Sequence, residues 1–172
     1  EHGDYARAAV AGEKALAVAE RNVGPDHPDV AMSLNLLALL CLARNQHAEA
    51  EPLFQRALAI AEKADEPDYA EVAVILNNMG ENYAAQSQYG KAEPLFRRAL
   101  AIREQVLGPY HSHVAVSLNS LANLYRDQGQ YPKAEPLYQR VLAIREKVLG
   151  PDHLDTAVCL SVRSGDNSAV MP

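Results

Sequence analysis

Few residues of this chain stand in patterns that carry covalent chemistry. His111-Ser112-His113 places two imidazoles at i, i+2 in a loop-to-helix junction. Such a pair can offer two nitrogens to a metal ion, but a tight site takes three or four ligands and no third is evident in the sequence. Cys41 and Cys159 are far apart, and neither lies in a CxxC or Cys/His cluster, so a disulfide framework and a zinc site are both disfavoured. No Ser stands in Gly-x-Ser-x-Gly, and there is no GxGxxG or phosphate loop. Glu49-x-Glu51 pairs two carboxylates, but on helix turns expected to be exposed, where acid–base work would lack a cleft. Arg103-Glu104 and Arg145-Glu146 are expected on the solvated face. No catalytic residue, metal or cofactor is therefore expected, and the class of function left is binding.

Charge narrows the partners. The 172 residues carry a net charge of −6. Residues 1–86 hold 14 acids and 6 bases, whereas residues 87–172 hold 8 acids and 10 bases. An acidic total argues against nucleic acid and against an anionic membrane as the main partner. No apolar run approaches the roughly 20 residues of a membrane-spanning helix. Glu1-His2-Gly3-Asp4 shows no basic stretch leading into an apolar one, so no signal peptide is expected. Two reduced thiols fit a cytoplasmic setting.

The elements that position these residues repeat. Gly24-Pro25-Asp26-His27, Gly108-Pro109-Tyr110-His111 and Gly150-Pro151-Asp152-His153 are near copies, with a degenerate copy at Glu66-Pro67-Asp68-Tyr69. Ala50 to Ile60 recurs at Ala92 to Ile102 and again at Ala134 to Ile144. The period is 42 residues and runs without insertion. The repeat loop, rather than catalysis, accounts for His27, His111 and His153.

Each repeat reads as two helices. The first carries Leu34, Leu37, Ala38 and Cys41 at i, i+3, i+4, i+7, repeated as Leu76, Met79, Gly80 and Tyr83 and as Leu118, Leu121, Ala122 and Tyr125. The second carries Ala50, Leu53, Phe54, Ala57, Leu58 and Ala61 on one face. Arg44-Asn45-Gln46, Gln86-Ser87-Gln88 and Asp127-Gln128-Gly129-Gln130 separate the two helices of each pair, with Gly129 suited to a left-handed cap. Gly24, Gly108 and Gly150, each followed by Pro, act as stop signals. Pro28 and Pro132 fit first-turn positions, whereas Pro52, Pro94 and Pro136 lie a turn inside and predict a small distortion. Small residues recur where helices must approach closely: Ala38, Gly80 and Ala122, then Ala50, Ala92 and Ala134.

The spacing Leu76-x-x-Met79-Gly80-x-x-Tyr83 followed by Ala92-x-x-x-Phe96-x-x-Ala99 resembles the tetratricopeptide repeat. The 42-residue period and the phrases Tyr131-Pro132-Lys133-Ala134-Glu135-Pro136-Leu137-Tyr138 and Leu142 to Gly150 are similar to the kinesin light chain type of that repeat. The resemblance covers about residues 5 to 160. It implies an all-α fold, a right-handed α-solenoid of antiparallel helix pairs, and a scaffold that holds peptide segments of other proteins. The expected divisions are a leading half repeat at 1–23, repeats at 24–65, 66–107 and 108–149, and a partial repeat with a mobile tail at 150–172. In the leading half, Ala11 and Gly12 replace the large pair Leu53 and Phe54, which suggests a degenerate cap or an absent upstream neighbour. Asp155 to about Val162 is expected to form a short capping helix.

By the same resemblance, first helices line a concave groove with the residues one step around from the core stripe. These are Asn35, Leu39 and Leu42, then Asn77, Glu81 and Ala84, then Asn119, Asn123 and Arg126, with Asn78 beside them. Helical geometry agrees, because an i, i+4, i+7 set starting one residue after Leu34 lies about 100° from the buried face. An Asn amide offers both a donor and an acceptor, which suits the backbone of an extended peptide. The competing reading is that these amides bond one another or the neighbouring helix. Arg126 could meet a ligand carboxylate or remain solvated. Leu39 and Leu42 predict one apolar contact. The expected occupant is an extended or short helical segment. The alternatives are self-assembly through the array ends, giving a homo-oligomer, and a ligand sensor with a deep charged pocket.

Overall fold

The computed structural model describes residues 2–149, the side chains of residues 2–6, 9 and 149 excepted. The expected trailing helix, its tail, Gly150, His153 and Cys159 lie outside these residues. The described chain is all-α. It forms seven helices: α1 (His2–Val23), α2 (Pro28–Ala43), α3 (His47–Lys63), α4 (Tyr69–Ala85), α5 (Tyr89–Leu107), α6 (Ser112–Asp127) and α7 (Tyr131–Leu149). They pair in sequence order. Two compact units result, Glu1–Leu95 and Phe96–Pro172.

Local chemistry sets the helix ends. The imidazole Nδ1 of His27 accepts from the Asp29 amide at 3.2 Å, and that of His111 accepts from the His113 amide at 3.2 Å. Before α4, where Tyr69 stands in the histidine's place, the cap comes one residue earlier: Asp68 Oδ1 accepts from Ala70 and Glu71 amides. Each satisfies donors that the first turn leaves open. His27 and His111 are thus helix caps. Pro28 opens α2, and α3, α5 and α7 each run on through an internal proline.

The three tight turns inside the pairs are built alike. Gln46, Gln88 and Gln130 donate their amides back to Cys41, Tyr83 and Tyr125 carbonyls at 2.8–2.9 Å. Such closure requires a left-handed residue just past the helix. Gly129 fills that place with φ 72°, but Asn45 and Ser87 fill it with φ 58° each. Asn tolerates this region through its short polar side chain, and Ser does so at greater cost.

In the N-terminal unit, α1 packs on α2, α2 on α3, and α3 on α4, while α2 also touches α4. Leu34, Leu37 and Ala38 of α2, Phe54, Ala57 and Ile60 of α3, and Ile75, Leu76 and Met79 of α4 are buried. Cys41, on the same stripe, is half-buried. The leading helix is closed by its small residue. A Cβ built on Gly12 would stand 2.6 Å from Leu37 Cδ2 and 3.7 Å from Leu40 Cδ1. Leu37 therefore packs directly on the backbone of α1 at the place where Phe54, Phe96 and Tyr138 stand in the later second helices.

In the C-terminal unit, α6 packs on α7. Val114, Ala115 and Leu118 meet Val141 and Ile144, with Leu100 and Leu137 against them. The expectation that Arg103 is solvated is corrected here. Arg103 is 4% exposed. Its Nη1 donates to Ser117 Oγ at 2.7 Å and to the His113 carbonyl at 3.2 Å. A buried guanidinium is tolerable because these acceptors meet it. Its neighbour Glu104 pairs with Arg140 at 2.6 Å.

Candidate functional site

The face of interest in the N-terminal unit is made by α2 and α4. Both are first helices of the repeat, so their positions correspond 42 residues apart. Asn78 Nδ2 donates to Asn35 Oδ1 at 3.0 Å and bridges the two helices. Asn77 turns the other way. It is 3% exposed, and its Nδ2 donates to Glu81 Oε1 at 2.8 Å, one turn along the same helix. Leu39 is exposed and Leu42 half-buried. The expected contacts of this unit therefore differ in presentation: Leu39 and Glu81 face outward, Asn35, Leu42, Asn78 and Ala84 are half-covered, and Asn77 is inside.

In the C-terminal unit, Asn119 and Asn123 are half-buried on α6. Asn123 Oδ1 accepts from the Tyr138 hydroxyl at 2.6 Å, which ties α6 to α7. Arg126 is exposed and holds Asp127 Oδ1 through Nε and Nη2, at 3.1 and 2.9 Å. That hydrogen bond raises the Arg126 pKa, so the guanidinium stays charged.

A second layer supports the first helices from behind. Asn82 is fully buried. Its Nδ2 donates to the His47 carbonyl, and its Oδ1 lies 2.9 Å from His47 Nδ1. The Tyr83 hydroxyl donates to Glu51 at 2.7 Å. Burial first, and then this bond, push the Tyr83 phenol pKa up. Lys91 lies over the Tyr83 ring at 4.9 Å, and Lys133 lies over Tyr125 at 5.2 Å, the same pairing 42 residues on. In the first repeat Cys41 and Glu49 hold these two places, and burial followed by the Glu49 charge raises the Cys41 pKa. A raised thiol is a poor nucleophile.

Sequence reasoning missed three features. Met32 and Leu36, 54% and 56% exposed, extend the apolar row of Leu39 along α2. Their signal was that α2 is apolar on every side, which a helix with one covered face does not need. Asn82 and Arg103 carry buried polar bonds, and the period flags the first, because Leu40 and Leu124 stand at the matching places.

The His111 and His113 rings stack at 5.3 Å. Among the described residues no group of three His, Cys, Asp or Glu could hold a metal ion, and no helix is long and apolar enough to cross a membrane.

Comparison with known proteins places this geometry in a family. The model described as tetratricopeptide repeat matches residues 2–63, 71–147 and 113–165. No curated protein matches the chain. A kinesin light chain-like protein of Podosopora anserina with nearly identical TPR-like repeats is 24% identical, over 98% of this chain and 80% of that one, with a TM-score of 0.79. BtubC (BKLC) from P. vanneervenii is 21% identical, with a TM-score of 0.76, over 95% of this chain. This chain spans 65% of the length of that protein. A Rap protein complexed with Competence and Sporulation Factor is 19% identical, over 92% of this chain and 47% of that one, with a TM-score of 0.71. At these identities the likeness carries the fold alone.

Proposed function

The chain belongs to the tetratricopeptide repeat family, and on that footing we propose that it is a scaffold that holds a segment of another protein against its first helices. The observation that carries the reading is the open apolar row on α2. Met32, Leu36 and Leu39 are exposed although α2 is covered on its other sides by α1, α3 and α4. Singly exposed apolar residues are ordinary, but a row of three on consecutive turns of one helix marks a contact surface.

Asn35, Leu39, Leu42, Asn78 and Glu81 in the N-terminal unit, and Asn119, Asn123 and Arg126 in the C-terminal unit, are the proposed contacts, whereas Asn77 is turned inside and serves to orient Glu81. A related fold with a bound partner, the Rap protein complexed with Competence and Sporulation Factor, supports the reading by analogy. Affinity for a short segment is expected in the micromolar range, because ordering the ligand offsets much of the contact energy. The test is a peptide-library screen of the wild-type chain beside Leu39→Ala and Asn119→Ala. Hits that weaken about tenfold in at least one variant support the reading. Hits indifferent to both, in chains that remain folded, overturn these sites.

Self-assembly is the second reading. Val10 and Val18 on α1 are each 51% exposed, and exposed apolar side chains on one helix can pair between copies of a chain. Sedimentation across concentration decides it, and a strict monomer removes it.

A further inference from the structure

Resting on the peptide-binding reading, the occupant of the N-terminal face follows from three properties of α2 and α4. The first is the shape of the apolar row. Met32, Leu36 and Leu39 follow one another at helical spacing and span about 10 Å along the axis. The second is charge. The matching row on α4 is Glu71, Val74, Asn78 and Glu81, and Asp29 opens the row on α2. Neither α2 nor α4 contains a Lys or Arg. The surface is therefore an apolar strip flanked by carboxylates of one sign. Burial and the charges of Asp68 and Asp29 raise the Glu71 pKa, in line with these three carboxylates crowding one another.

The third is the state of the amides. An extended peptide needs backbone partners along its length. Here Asn35 and Asn78 bond each other and Asn77 is turned inward onto Glu81. A helix brings its own backbone bonds and asks the surface only for apolar contact and charge.

We propose that the face formed by α2 and α4 receives a basic amphipathic helix of a partner protein, with Leu, Ile or Met side chains against Met32, Leu36 and Leu39 and Lys or Arg beside Asp29, Glu71 and Glu81. The segment 150–172 of this chain does not suit the place, because it holds three Asp and one Arg.

The probe is a labelled amphipathic peptide of ~14 residues built from Leu and Lys at helical spacing. It is compared by fluorescence anisotropy with a Leu/Glu version and with a scrambled Leu/Lys version, at about 0.15 M salt. The expected result is binding of the first peptide at least about tenfold tighter than either comparison. Leu36→Ser and Met32→Ser are expected to weaken it about fivefold or more, and Glu81→Gln to lower its salt dependence, while Val116→Ser on α6 leaves it unchanged. Thermal melts of each variant confirm folding.

Equal binding of the scrambled peptide, or indifference to Met32→Ser and Leu36→Ser in folded protein, overturns the proposal. So does a concentration-dependent dimer that Leu36→Ser abolishes, since a second copy then covers the face. Library hits that need Asn119 or Asn123 but neither basic residues nor Leu36 remove this occupant and leave the scaffold reading standing. Failure of every peptide, library included, removes both.

Discussion

Asn78 on α4 donates its amide to Asn35 on α2 at 3.0 Å, so the residues best placed to greet a ligand instead join their own helices. Their side chains come from positions 43 residues apart, and the bond fixes the spacing of the two first helices at mid-length. Asn78→Ala is expected to cost about 1 kcal/mol, a typical net value for a part-buried neutral hydrogen bond. A double-mutant cycle with Asn35→Ala, read by urea unfolding, should return a coupling of about 0.5–1 kcal/mol. Strict additivity would show that the bond does no work in solution.

Gly12 sets how closely α1 lies on α2. Gly12→Leu is expected to cost about 1–3 kcal/mol by overpacking against Leu37. Gly12→Ala should be near neutral, because helix propensity returns about 1 kcal/mol while the flexible end of Leu37 moves aside. Denaturant midpoints of the two variants provide the check, and equal losses would contradict this packing.

Arg103 holds α5 to the start of α6. Arg103→Met keeps the bulk of the stem but takes the 2.7 Å donor from buried Ser117 Oγ, and is expected to cost about 1–3 kcal/mol. Ser117→Ala should cost less, since the His113 carbonyl still accepts. Arg145→Met, at the matching place in the next repeat, is the comparison. Thermal unfolding of the three variants ranks them.

Glu71 predicts a dependence on pH. Burial first, then the charges of Asp68 and Asp29, hold its carboxyl above the ordinary value. The native chain then keeps a proton that the unfolded chain has released. Stability from this group is fully present below the ordinary carboxylate pKa and is lost as pH rises through the raised one. Relative to wild type, Glu71→Gln should therefore gain stability as pH rises through that window and stay level above it. Urea unfolding from pH 4 to pH 7 measures the difference, and a constant offset would contradict the raised carboxyl.

Much of the architecture was legible because it is local. The 42-residue period, the left-handed turn at Gly129 and the core stripe from Leu34 to Ala38 all follow from residue spacing along the chain, whereas the capping role of His27, Asp68 and His111 appeared only with the structure. The all-α fold follows in turn, because each helix carries an apolar stripe that only another helix can cover.

The site was legible only as a set of positions. Helical arithmetic placed Asn35, Asn77 and Asn78 near one face, but an amide can turn toward a ligand, along its own helix or across to the next. Three neighbouring amides take the second and third choices: Asn77 bonds Glu81, and Asn78 bonds Asn35. Arg103 likewise reads as a surface cation until Ser117 and the His113 carbonyl are brought to it from another helix. Sequence alone determined which elements form and which of their faces are apolar, since propensity, capping and periodicity act within a turn or two of chain. Tertiary structure decided which polar groups are consumed inside and which rows stay open, because that depends on partners distant in sequence, whose approach is set by small residues such as Gly12 and by the bonds that form once they meet.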